Sequence, residues 1–289
     1  MKLSTGVGLL ALLLAMGSIV AGASDRRALA DRTAVSSDGV ALAYSAGGEG
    51  EPALVFIHGG FADRSFWRHQ LASFAGTHRV VALDLAGHGD SGRNREAWTM
   101  DAFGADVHAV VEAERLQRVV LVGNSLGFPV ALAAARLLPG RVVGLVAVDT
   151  LLDLSHPRDP EQMRALAARA RQDFPAVCAE MVAILFHPDA DPGVRAEVEK
   201  RMCGFPGTIA AAIWEQLATY DLRVAVSGLG VPVRAINGDL YPTVIEANRE
   251  IVPSFTAAIV SHAGHYPMLE RPAEFDRLLS EALAGFAGP

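Results

Sequence analysis

Lysine is almost missing from this 289-residue chain: Lys2 and Lys200 are the two, and the other cations are arginines that form no basic cluster. With a formal net charge of -7 there is no electrostatic footprint for a polyanion, which excludes a nucleic-acid partner. Cysteine is as scarce. Cys178 and Cys203 fall in one later stretch, so they form either a single bridge or two buried thiols. Internal repeats and low-complexity tracts are absent beyond a richness in alanine, which excludes a solenoid and leaves no sign of a further domain.

What remains is 51% hydrophobic and 20% charged, the balance of one compact globular domain carrying an insertion. Residues 1–23 read as an export signal: Lys2 charges the start, 7–20 is apolar, and Ala21-Gly22-Ala23 fits an A-x-A cleavage site. The expected product is periplasmic or extracellular and has no stable membrane partner, the alternative being an uncleaved N-terminal anchor. No cysteine follows the run, which excludes a lipid-anchored form.

The central stretch is Leu121-Val122-Gly123-Asn124-Ser125-Leu126-Gly127. A buried parallel strand over 118–122 leads into it and an alanine- and leucine-rich helix over 129–138 leaves it, so Ser125 sits on a strand-to-helix turn. Such a turn needs glycine on either side and lifts the hydroxyl off the sheet. It also leaves the N–H of Leu126 at a helix start, where a developing oxyanion can be held.

Along the rest of the chain, a polar linker is expected over 24–34, and strands over 39–45, 53–57, 80–83, 141–148, 231–236 and 256–260. Helices are expected over 65–74, 100–114, 244–251 and 274–286. Between 151 and 229 no strand pattern recurs. Helices at 161–171, 176–186 and 208–220, separated by turns such as His187-Pro188-Asp189 and Asp191-Pro192-Gly193, make this an inserted helical lid. The division is therefore a core of 24–150 and 230–289 with a cap of 151–229. The fold class is α/β, a mostly parallel central sheet flanked by helices.

Two apparent motifs are set aside. Gly87-His88-Gly89-Asp90-Ser91-Gly92 has dinucleotide-fingerprint spacing, but a polar loop follows where that motif needs a helix, so no cofactor is expected. His262 and His265 have H-x-x-H spacing, yet no third ligand is apparent in the sequence and no metal is expected.

Four segments together resemble the α/β-hydrolase superfamily: His58-Gly59-Gly60, Asp84 through Ser91, Gly123 to Gly127, and Gly264-His265-Tyr266-Pro267. The likeness covers about 39–286 and points to the capped branch of esterases, lactonases and peptidases. It implies Ser125 as nucleophile, His265 as base in preference to His262, and the N–H groups of Leu126 and Gly60, or else Phe61, as oxyanion donors. His58 is expected to pack the loop. The acid departs from the family: the usual position, three after Gly238, is Tyr241, which cannot supply a carboxylate. Asp149 at the end of a core strand is preferred, with Asp239 as the alternative. Phe61, Phe66, Trp67, Phe128, Phe186 and Trp214 suggest an apolar pocket, Phe128 narrowing the acyl side. The expected activity is hydrolysis of a small, mostly apolar ester, lactone or related acyl compound. Perhydrolysis on the same residues, or ligand binding without catalysis, are the alternatives.

Overall fold

The computed structural model describes residues 28–156 and 158–286. The proposed export signal lies outside the described residues. Eight strands form one mixed sheet: β1 (Ala30–Val35), β2 (Ala41–Gly47), β3 (Ala53–Ile57), β4 (Val80–Leu83), β5 (Val119–Asn124), β6 (Val142–Val148), β7 (Val233–Gly238) and β8 (Thr256–Val260). Their order is β1-β2-β4-β3-β5-β6-β7-β8; the β1–β2 and β2–β4 pairs are antiparallel and the rest parallel. Every residue of β3, β4 and β5 is buried, as expected of parallel strands covered on both faces.

The helices flanking this sheet are α1 (Arg68–Phe74), α2 (Met100–Ala113), α3 (Gly127–Leu137), α8 (Ile245–Ile251), α9 (Pro267–Glu270) and α10 (Pro272–Ala284). Between β6 and β7 the chain leaves the sheet for four helices: α4 (Pro160–Leu185), α5 (Pro192–Met202), α6 (Gly207–Leu217) and α7 (Leu222–Val226). None of the described helices is long and apolar enough to cross a membrane.

Two sequence expectations change here. The linker is in part a strand: β1 pairs along its whole length with β2, yet only Ala34 on it is buried. An edge strand exposed on nearly all sides shows no apolar alternation to read. The Asp191-Pro192-Gly193 turn is instead the start of α5, where the Asp191 side chain accepts from the Gly193 N–H at 2.6 Å. Only Val198 and Met202 of that helix are buried, so its amphipathic stripe is too thin to stand out. The two helices expected at 161–171 and 176–186 are the two arms of α4, which breaks at Asp173 just before Pro175.

The cysteines are bridged. Cys178 on α4 and Cys203 at the end of α5 form a disulfide with a Cα–Cα distance of 5.3 Å, binding two lid helices. Phe61, from the loop after β3, reaches into the lid; its ring centroid is 5.0 Å from those of Phe174 and Trp214 and 5.2 Å from that of Phe205.

Candidate active site

Parallel strands that end level with one another place their following residues side by side, and that is how this site is assembled. Asn124 pairs with Val148 across β5 and β6, and Val148 with Ile236 across β6 and β7. Ser125 and Asp149 therefore leave the same edge of the sheet. The Ser125 N–H donates to Val148 O at 3.2 Å, and the Asp149 N–H to Ile236 O at 3.1 Å.

Both residues adopt left-handed backbone, φ 51° at Ser125 and 46° at Asp149. That conformation costs a non-glycine residue about 1–3 kcal/mol and persists only where the surroundings dictate it. At Ser125 they do. A Cβ at Gly123 would collide with Gly127 O, and one at Gly127 with Ile57 O, so both glycines are demanded by contact between turn, helix and strand.

The His265 Nδ1–H donates to Asp149 Oδ2 at 2.6 Å, and Asp149 Oδ1 accepts from the Gly238 N–H at 3.0 Å. The carboxylate is thereby aimed by β7 as well as β6, and it orients the imidazole so that Nε2 is left to accept a proton. Asp239 takes a different part. Its oxygens accept from the N–H groups of His262, at 2.9 Å, and Ala263, at 3.1 Å, so it shapes the turn after β8. Those bonds hold its pKa below the ordinary aspartate value against the smaller solvation available there. Tyr241, at the family's usual acid position, donates its hydroxyl to Ile184 O at 3.0 Å and ties the lid to the core.

Two residues that the sequence reading missed support this loop. Asn124 donates its Nδ2 to Val148 O at 3.1 Å and to His265 O at 3.0 Å, pinning the histidine backbone to the elbow. The Glu270 carboxylate gathers three N–H groups, from Gly264 at 3.0 Å, Tyr266 at 3.2 Å and His187 at 3.3 Å. Burial nevertheless pushes its pKa above the ordinary glutamate value. Asn124 stood in view as the second residue of Gly-x-Ser; Glu270, in a short helix, gave no signal.

Ser125 and His265 open on one cavity of about 240 Å³. Gly60, Phe61, Leu126 and Tyr266 complete the core side, and Met181, Leu185, Met202, Ile213 and Trp214 form an apolar roof from the lid. The N–H groups of Gly60 and Leu126 have no protein acceptor among the described residues. Phe61 and Trp214 thus line the cavity as expected. Phe128 does not: it is fully buried in the first turn of α3, where a large apolar side chain is drawn into the core. Phe66 and Phe186 pack behind the cavity on Tyr266, at 5.5 and 5.4 Å, and Trp67 on Phe56 at 5.1 Å.

His58 packs its loop: Nε2 accepts from the Leu85 N–H at 3.1 Å, so Nδ1 carries the proton and donates to Gly59 O at 2.7 Å. The Gly87–Gly92 stretch wraps a buried carboxylate. Asp84 accepts from the N–H groups of Arg64, at 2.7 Å, and Asp90, at 2.9 Å, while Ser91 Oγ donates to Asp84 O at 2.7 Å. His262 Nδ1 meets Asp189 Oδ2 at 2.8 Å. With His187 these two place three ligand-type atoms within 4.8 Å of one another, a partial cation-binding set that the sequence separation of its members concealed.

The alpha/beta hydrolase family model matches residues 54–278. Among solved structures, a thermophilic esterase from Thermogutta terrifontis, with malate bound, superposes with a TM-score of 0.77 at 26% identity, covering 90% of this chain and 100% of that one. The 3-oxoadipate enol-lactonase 2 of Acinetobacter baylyi is 23% identical over 259 residues, 87% of this chain and 96% of that protein. Mouse epoxide hydrolase 4 is 31% identical over 118 residues, 40% of this chain and 33% of that protein, so the chain spans about a third of its length.

Proposed function

The chain belongs to the alpha/beta hydrolase family, and from that premise we propose that it is a serine hydrolase that cleaves a small, mostly apolar ester or lactone through an acyl-enzyme on Ser125. The observation that carries this reading is the 2.6 Å His265–Asp149 contact beside the cavity that Ser125 and His265 both line. His265 Nε2 takes the Ser125 proton as Oγ attacks the acyl carbon, and Asp149 stabilises the imidazolium. The N–H groups of Gly60 and Leu126 receive the negative oxygen, and the imidazolium returns its proton to the leaving alkoxide. Water, deprotonated by the same imidazole, then releases the acid.

The lid roof of Met181, Leu185, Ile213 and Trp214 supports an apolar substrate body. The disulfide supports export to an oxidising compartment, where cleavage after Ala23 leaves Ser24 as the first residue; N-terminal sequencing of protein from the exported fraction tests that. The catalytic reading is tested with a fluorophosphonate probe and 4-nitrophenyl esters of graded chain length. Labelling at Ser125 with turnover is expected; no labelling and no turnover would make the chain a ligand-binding protein instead.

A further inference from the structure

Arg158 lines the Ser125 cavity and also a second cavity of about 290 Å³, which is bounded by the segment entering the lid and the turn between α6 and α7. Leu217 is the other wall the two share. Neighbouring charges in the second cavity are already matched. Arg223 Nη2 is 2.8 Å from Asp221 Oδ2, and His156 Nδ1 is 2.8 Å from Asp153 Oδ2.

Arg158 is different: among the described residues it forms no hydrogen bond or ion pair. Its side chain is exposed at the junction of the two cavities, and the protein packed around it lowers its pKa from the ordinary arginine value, offset by Tyr220. An exposed guanidinium without an ion pair, set where two cavities meet, is free to receive an anion that a ligand brings into them. The roof over Ser125 is otherwise apolar, so a single cation at its margin discriminates strongly between charged and uncharged ligands. A planar guanidinium offers paired donors at the spacing of a carboxylate's oxygens.

We propose that the two adjoining cavities form one binding site with an anion subsite at Arg158, and that the ester or lactone opened at Ser125 carries a carboxylate held there. This rests on the hydrolase reading above. The acyl group lies under the apolar roof and the carboxylate at the junction of the cavities. The nearby carboxylates of Asp153 and Asp221 favour a singly charged group over a dianion.

The test uses mono-4-nitrophenyl esters of linear diacids of five to eight carbons, each against the uncharged monoacid ester of equal length, corrected for spontaneous hydrolysis. The full-length protein is expected to prefer the charged ester at one chain length. Arg158→Gln should lower the charged-to-uncharged ratio of kcat/KM about 10- to 100-fold, mainly through KM, and Arg158→Lys should recover part of it. Calorimetric titration with glutarate and adipate gives a readout independent of turnover: binding to the parent, lost in Arg158→Gln. Diacid binding lost in Arg158→Gln without turnover of either ester series would sink the hydrolase reading and leave the subsite standing. Turnover with an unaltered ratio, or diacids binding parent and variant alike or binding neither, overturns the subsite.

Discussion

The sheet edge and the lid contribute to one cavity by opposite means. At the sheet edge, Ser125, Asp149 and the His265 loop are held by main-chain bonds between level strand ends, reinforced by Asn124 and Glu270. In the lid, the walls are side chains on helices joined by one disulfide, one aromatic cluster around Phe61, and tethers such as the His265 N–H to Leu185 O bond of 2.7 Å. Under the proposed function, chemistry that fails with a displacement of about 1 Å rests on strands, and selection among substrates on helices that can be changed without moving the strands. If that division holds, substitutions at the edge act on kcat and those in the lid on KM.

The sharpest break comes at the nucleophile. Ser125→Ala should lower kcat by about 10⁴ to 10⁶ with KM little altered, measured on the best 4-nitrophenyl ester. Retained turnover would move the chemistry off the sheet edge altogether. Next is the acid: Asp149→Asn should cost about 10³ to 10⁴ in kcat, since Nδ1–H loses its anionic partner. Asp239→Asn, whose carboxylate serves the turn after β8 and lies 3.9 Å from His187 Nε2, should stay within about tenfold. A reversed order of the two would show that the 2.6 Å contact is not the working one.

Glu270 sharpens the comparison because it reaches no reacting atom. Glu270→Gln replaces one oxygen by a donor facing the N–H groups of Gly264, Tyr266 and His187, and should cut kcat by about 10- to 100-fold. A change confined to KM, or recovery by no acidic variant such as Glu270→Asp, would mean that it does not position His265.

On the lid side, Cys178→Ala with Cys203→Ala removes a bridge of 25 residues' separation, worth about 3 to 4 kcal/mol of chain entropy to the folded lid. The expected result is faster proteolysis within 160–203 and a rise in KM of a few-fold, with kcat nearly preserved. A collapse of kcat would mean that the lid, too, sets the geometry of the reacting groups.

The smallest effect is on stability against pH, away from the site. Burial alone would raise the pKa of Glu114, but hydrogen bonds from Arg79 and Tyr44 outweigh it and hold the pKa low. Its stabilising contribution is therefore present above the ordinary glutamate range and lost as the pH falls through the lowered value. Glu270 has the opposite sign: burial raises its pKa, so its contribution improves as the pH falls through that raised value. Glu114→Gln should flatten the acid limb of Tm against pH, measured by calorimetry, and Glu270→Gln should not.

Much of the site was legible in the chain because local physics dictates it. A strand, a glycine-flanked serine and a helix permit one kind of turn, and the glycines at 123 and 127 leave no alternative conformation open. His265 was legible through the family resemblance, as the histidine after the last strand beside Gly264; the structure adds that a Cβ at Gly264 would collide with Leu185 O. The edge strand β1 and helix α5 were not, because each buries too few side chains to impress a period on the sequence.

The sequence by itself determined the α/β class, the elbow at Ser125 and the position of the lid, because each follows from the periodicity of single elements and their order along the chain. Only the tertiary structure set Asp149 rather than Asp239 against His265, joined the cysteines, withdrew Phe128 from the pocket and left Arg158 without a hydrogen-bond or ion-pair partner among the described residues. Each of these depends on which strand ends lie level and which helix packs over them, with residues up to 116 positions apart coming into contact, and no local propensity encodes a meeting at that range.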